Sequence, residues 1–78
     1  MRRLTMYSRT TCGLCDEARE VVDSLREAAE FAFEEVFVDG DDPLEREYGL
    51  RVPVLLVDGE EAFETVVDPA ALLERLRD

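Results

Sequence analysis

The sequence is short, acidic and free of histidine: it has 78 residues, 46% of them hydrophobic, and a formal net charge of −11 at pH 7. A chain of this length buries only about 60–65% of its unfolded surface, so we expect one domain with one core over residues 1–78. The negative charge argues against nucleic acid and anionic membranes as partners. The lack of histidine excludes a Cys–His or Ser–His nucleophile pair and any His-ligated metal site.

The sequence also bears on where the protein works. No apolar run approaches the roughly 20 residues that a membrane span requires. The first nine residues have the basic start of a signal peptide but lack the apolar segment that follows it in such peptides. We therefore expect a cytoplasmic protein.

The first half of the chain predicts a strand, a helix and a second strand. Residues 4–8 form a short apolar run that ends in a serine. A helix is predicted over residues 13–29, where apolar side chains recur at helical spacings on one face: Leu14, Ala18, Val21, Val22, Leu25 and Ala29. Residues 33–38 are aromatic and β-branched with acids between them, which is typical of a strand. Such a strand–helix–strand unit implies a parallel pair of strands.

The second half predicts a short helix, a hairpin and a last helix. Asp42 as the N-cap and Pro43 at the first helical position begin the short helix. The apolar run of residues 54–57 is typical of a central strand covered on both faces. Asp58-Gly59 predicts a hairpin turn before a returning strand at residues 62–67. The last helix begins at Asp68-Pro69 and carries its leucines inward: Leu72, Leu73 and Leu76. The order β-α-β-α-β-β-α predicts an α/β fold with a mixed four-stranded sheet flanked by helices.

The two cysteines lie between the first strand and the first helix, as Cys12-Gly13-Leu14-Cys15. The N-terminus of a helix offers unpaired N–H groups and a partial positive charge, which stabilise a thiolate. The thiolate is the form of cysteine that attacks disulfides. Cys15 lies one turn further along the helix, within reach of Cys12 for a bridge. The spacing indicates a two-step exchange, in which Cys12 attacks and Cys15 then displaces the product.

Two other interpretations of the cysteine pair are weaker. A structural zinc site requires four ligands, and the sequence has no third cysteine and no histidine, so a metal would need a second subunit or an external thiol. The pair could also be inert.

Two segments of the sequence resemble the signatures of glutaredoxins. Residues 7–15 (YSRTTCGLC) look like their active-site segment, and residues 52–59 (VPVLLVDG) look like their second signature. The resemblance implies a thioredoxin-like fold and thiol–disulfide exchange. It also implies a cis peptide bond before Pro53 that presents the backbone of Val52 to a bound thiol. Arg9 matches a basic position of glutaredoxins, where it would stabilise the thiolate or bind a substrate carboxylate; alternatively, it is a solvated surface charge.

The sequence departs from glutaredoxins in two places. Gly13 and Leu14 stand where glutaredoxins usually have proline and an aromatic residue. The stretch around Phe63-Glu64 lacks the Gly-Gly pair that binds the γ-glutamyl end of glutathione. We therefore expect the protein to use glutathione poorly.

These observations predict a thiol–disulfide oxidoreductase of the glutaredoxin type, with Cys12 and Cys15 as catalytic residues and Arg9, Val52 and Pro53 binding the substrate thiol. The expected partners are disulfide-containing proteins or small thiols, together with a reductase or thiol donor, and the expected state is a monomer. No cofactor or metal is expected, although glutathione or another small thiol could serve as reductant. The alternatives are an iron–sulfur cluster or metal held between two subunits by Cys12, and an adaptor that kept the fold without activity.

Overall fold

The computed structural model describes residues 1–77 and contains four strands and three helices in the predicted order. Their bounds are β1 Arg2–Ser8, α1 Gly13–Leu25, β2 Phe31–Phe37, α2 Asp42–Tyr48, β3 Val54–Val57, β4 Glu60–Glu64 and α3 Pro69–Arg77. The strand order is β2-β1-β3-β4, with β1 parallel to β2 and the other two pairs antiparallel. The predicted mixed four-stranded sheet is therefore confirmed.

The two central strands, β1 and β3, carry the core of the protein. In β1 the buried residues alternate, with Leu4 and Met6 pointing to one face, while β3 is buried along its whole length. Helices α1 and α3 cover the face that Leu4 and Met6 share, because both helices place their buried residues in the same cluster. The core consists of apolar side chains from both helices and three strands: Leu4, Met6, Ala18, Val22, Leu25, Phe31, Leu55, Val57, Leu72 and Leu76.

The ends of several elements differ from the predicted ones. Helix α1 ends at Leu25, four residues early, because Arg26 and the next two residues face solvent and contribute nothing to the core. Asp41 rather than Asp42 is the N-cap of α2, since its carboxylate accepts a hydrogen bond from the Leu44 N–H at 3.2 Å. Strand β2 begins two residues before its predicted start, at a buried Phe31.

The Asp58-Gly59 hairpin forms as predicted, with positive φ at both residues (52° and 86°), as a type I′ turn requires. This tight turn starts β4 at Glu60, and β4 ends at Glu64 because Thr65 has a φ of 67°. The predicted strand over residues 62–67 was therefore placed too late. No helix within residues 1–77 combines the length and the apolar character that crossing a membrane requires.

We expect Thr65→Gly to raise the free energy of unfolding by about 0.5–1 kcal/mol. A positive φ costs a β-branched residue about 1–3 kcal/mol, and the extra chain entropy of glycine offsets only part of the gain. Urea unfolding followed by circular dichroism would measure the change. Thr65→Ala keeps the Cβ atom and should give less than half of the gain in the free energy of unfolding. A glycine variant that is no more stable than the wild type would contradict the prediction.

Candidate active site

Cys12 and Cys15 occupy the start of α1 and are joined by a disulfide bond, with their Cα atoms 5.2 Å apart. Cys12 is the N-cap residue in an extended conformation (φ −158°, ψ 106°), and Cys15 lies in the first turn. The two cysteines differ in exposure: Cys15 is completely buried, whereas Cys12 is partly exposed. An incoming substrate can therefore reach Cys12 first.

The Cys12 sulfur is held by the backbone of α1. Its Sγ accepts a hydrogen bond from the Cys15 N–H at 3.1 Å, which is the interaction that an N-cap side chain makes with the orphan donors of a helix. In the reduced protein the same N–H group, together with the positive end of the 13-residue helix, would stabilise a thiolate. The geometry thus supports the predicted roles of an attacking Cys12 and a resolving Cys15.

Val52 and Pro53 lie at the same end of the sheet as the cysteines. The peptide bond between them is cis, as the resemblance implied. Val54, the next residue, pairs with Tyr7 near the end of β1, and the chain reaches Cys12 four residues after β1 ends at Ser8. Val52 is partly exposed and Pro53 is buried. The topology therefore brings the Val52–Pro53 segment and the Cys12 loop to one edge of the molecule.

Arg9 makes its contacts with α2. Its Nε donates to the Gly49 carbonyl at 3.0 Å, and its Nη1 donates to the Glu45 carboxylate at 3.0 Å, with Asp39 4.0 Å away. Its side chain is about one-third exposed. The charge of Arg9 is thus shared with two carboxylates, and its predicted role in binding a thiol stays a prediction.

Two side-chain clusters near the site join elements that are distant in sequence. Tyr7 stacks on Tyr48 with ring centroids 4.2 Å apart and an interplanar angle of 9°, and the Arg51 guanidinium lies 5.5 Å from the Tyr48 ring. The stacking makes Tyr7 a packing residue that joins β1 to α2. The sequence held no signal for Tyr48 as its partner, because the contact depends on where α2 packs.

The second cluster joins α1 to β2 through Arg19. Its guanidinium donates to Asp16 at 2.8 Å and forms two hydrogen bonds with Glu35, at 2.9 and 2.5 Å. The Asp16–Arg19 pair is visible in sequence as an i,i+3 spacing, but the Glu35 partner depends on how the helix lies across the sheet. Hydrogen bonding from Arg19 holds the pKa of the Glu35 carboxyl below its usual value, although partial burial opposes this.

The Arg19–Glu35 pair predicts a specific loss of stability in acid. The pKa of Glu35 is lower in the folded protein than in the unfolded chain. The ion pair therefore adds to the free energy of unfolding at any pH above the pKa of Glu35 in the unfolded chain. This contribution is lost as the pH falls through the pKa of Glu35 in the folded protein. Between pH 5 and pH 3, we expect the free energy of unfolding of the wild type to fall by about 1 kcal/mol more than that of Glu35→Gln.

Urea midpoints at several pH values would measure this difference. Acidification also relieves the repulsion of a chain with net charge −11, so the control must remove one charge without removing the pair. Glu34→Gln does so, because Glu34 is exposed on the same strand and points to the opposite face. If both variants changed the acid response equally, Arg19 would not be the cause.

Comparisons with known proteins agree with this architecture. Residues 3–77 match the family described as Glutaredoxin-like domain (DUF836). No protein of curated function matches the sequence significantly.

Several solved structures are similar over nearly the whole chain. Protein Ne2328 from Nitrosomonas europaea is 31% identical with a TM-score of 0.83, and the match covers 96% of this chain and 91% of that one. A structural genomics target protein from X. campestris is 44% identical with a TM-score of 0.75, covering 91% of both chains. A mutant thioredoxin from Halobacterium salinarum is 34% identical with a TM-score of 0.66, covering 96% of this chain and 71% of the thioredoxin. The fold is thus shared with thioredoxins.

Proposed function

The chain belongs to the glutaredoxin-like domain family of the thioredoxin superfamily, and we propose that it is a thiol–disulfide oxidoreductase acting on protein or mixed disulfides. One observation carries the proposal: Cys12 and Cys15 are bonded to each other at the start of α1, with only Cys12 accessible. A bridge between an exposed and a buried sulfur is the product that such an exchange would leave on the protein.

The reaction consists of two exchanges. The Cys12 thiolate attacks one sulfur of the substrate disulfide, the substrate S–S bond breaks, and the departing sulfur takes up a proton. Cys15 then loses its proton and attacks Cys12 Sγ, which releases the second substrate thiol and forms the Cys12–Cys15 bridge. The substrate disulfide gains two electrons and two protons, and the protein dithiol loses them.

Other groups at this edge would hold the substrate. We propose that the backbone of Val52, beside the cis-proline Pro53, binds the substrate chain next to the reacting sulfur. Arg9 would bind a substrate carboxylate only when its hydrogen bond to Glu45 is broken. The bridge must be reduced again by a thiol donor or a reductase, which requires a reducing compartment such as the predicted cytoplasm.

The proposal is tested by catalysed reduction of a protein disulfide with dithiothreitol as the donor. We expect the protein to accelerate the reaction well above the uncatalysed rate, and the same protein that has first been reduced and then alkylated with iodoacetamide should not. Equal rates with and without unmodified protein would overturn the proposal.

The position of Cys12 also predicts a reactive thiolate in the reduced protein. We expect the pKa of the Cys12 thiol to lie below that of a free cysteine, because α1 supplies N–H groups and its positive end. The rate of alkylation by iodoacetamide, measured against pH, would give the value, and the protein unfolded in urea is the internal control. Identical pH profiles for the folded and unfolded protein would contradict the prediction.

A further inference from the structure

A small, largely apolar cavity lies between α1 and the segment that follows β4, and Leu14, which separates the two cysteines in the sequence, is one of its lining residues. We call it the notch; its volume is about 90 Å³. Apolar side chains of α1 and of the segment line it: Leu14, Ala18, Val21, Val66 and Val67. A water molecule takes about 30 Å³ of liquid, so the notch has room for one aliphatic side chain.

The notch is open to solvent, and Leu14 links it to the Cys12–Cys15 segment. Leu14 stands between the two cysteines and is 43% exposed, and Val66 on the other wall is 70% exposed. Exposed apolar side chains on both walls of one cavity give a partner side chain something to pack against. An occupant of the notch would contact Leu14, two residues from Cys12.

The outer wall of the notch is held by a strained turn. The Val66 N–H donates to the Glu64 carbonyl at 2.7 Å, which with a positive φ at Thr65 makes a γ-turn of the rare, strained kind. The Thr65 N–H donates to the Pro53 carbonyl at 2.8 Å, so the turn is tied to the cis-proline segment. Strain of this sort in a β-branched residue is typical of ligand-binding segments.

The charges around the notch select one kind of occupant. Glu17 is the charged side chain among its lining residues, and the protein as a whole carries a net charge of −11. None of the lining residues is basic, and Arg51, whose carbonyl accepts a hydrogen bond from the Thr65 N–H, has its guanidinium bound to Glu61 at 3.0 Å and 3.8 Å from Glu64. A partner segment with a lysine or arginine would be attracted here, and an acidic segment would be repelled.

We propose that the notch binds an aliphatic side chain adjacent to the disulfide cysteine of a protein substrate, with a neighbouring lysine or arginine of the substrate facing Glu17. The proposal rests on the proposed exchange function, and it names the substrate class: disulfides in apolar segments with basic neighbours.

The test uses four disulfide peptides that differ only at two positions, with leucine or serine beside the cysteine and arginine or glutamate after it. We expect kcat/KM to be about 10-fold higher for leucine than for serine. Val66→Ser should remove most of that preference, whereas Leu50→Ser, at an exposed leucine outside the notch, should keep it. Glu17→Gln should reduce the preference for arginine about two- to fivefold. Glu20→Gln also removes one negative charge, but one turn further along α1, and should reduce the preference less.

Two further measurements separate this proposal from the function on which it rests. A small uncharged disulfide, which does not reach the notch, reports on the exchange chemistry alone; if it is not reduced, the proposed function fails. Binding of the leucine–arginine peptide with serine in place of cysteine, followed by amide NMR shifts at Val66 and Val67, reports on the notch without any chemistry. If these shifts are absent, or if Val66→Ser keeps the leucine preference, the notch proposal is overturned.

Discussion

Replacing Cys12 by serine is expected to abolish thiol–disulfide exchange, whereas replacing Cys15 is expected to trap mixed disulfides between the protein and its substrates. The reason is the difference in exposure between the two sulfurs. Only Cys12 is accessible to a substrate, and the buried Cys15 can act only on a bond that Cys12 has already made. Turnover with a protein disulfide would measure the first effect, and mass spectrometry of the covalent adduct the second.

The variants need controls because Cys15 is completely buried. A serine hydroxyl without a partner at that position costs about 1–3 kcal/mol, so Cys15→Ala, which stays apolar, should be measured beside Cys15→Ser. Thr11→Ser, next to Cys12 and exposed, should retain full activity. The assignment of roles would be reversed if Cys12→Ser remained active and Cys15→Ser did not.

Turnover with glutathione is expected to be about 10 to 150 times lower than that of an ordinary dithiol glutaredoxin. Glutathione is small and anionic, so its affinity depends on a few charged hydrogen bonds, and losing one costs about 1.5–3 kcal/mol. Arg9, the basic residue that glutaredoxins would use, donates instead to Gly49 and Glu45. Phe63 packs against the core and Glu64 ends β4, so a carboxylate replaces the usual Gly-Gly pair.

Steady-state reduction of a glutathionylated substrate, side by side with a standard glutaredoxin, would measure this difference. Dithiothreitol in place of glutathione distinguishes poor glutathione binding from an inactive protein. Glu45→Gln should raise turnover with glutathione because it weakens the ion pair that holds Arg9 away from a substrate. Glu47→Gln, on the same helix but paired with Arg51, should not raise it. Comparable rates for the two wild-type proteins would show that other contacts bind glutathione here.

Much of the fold could be predicted because its signals are local. Pro43 and Pro69 mark helix starts, Asp58-Gly59 sets the hairpin, and the apolar run of residues 54–57 identifies a central strand. The order of elements and the mixed sheet followed from these signals and are confirmed.

What could not be predicted depends on packing between distant segments. The Arg19–Glu35 pair requires that α1 cross β2 at one position, and the contacts of Arg9 require that α2 close over the end of β1. The notch likewise forms only when residues 65–67 turn back against α1. No periodicity or spacing in the sequence encodes these distances.

The strand order leaves β2 and β4 at the two edges of the sheet, where unpaired backbone groups invite pairing with another chain. Both edges carry glutamates: Glu34 and Glu35 on β2, and Glu60, Glu61 and Glu64 on β4. Arg19 and Arg51 pair with three of these glutamates, but Glu34 and Glu60 leave both edges with a net negative charge. Two such edges repel each other, so part of the acidic character of this chain opposes edge-to-edge association.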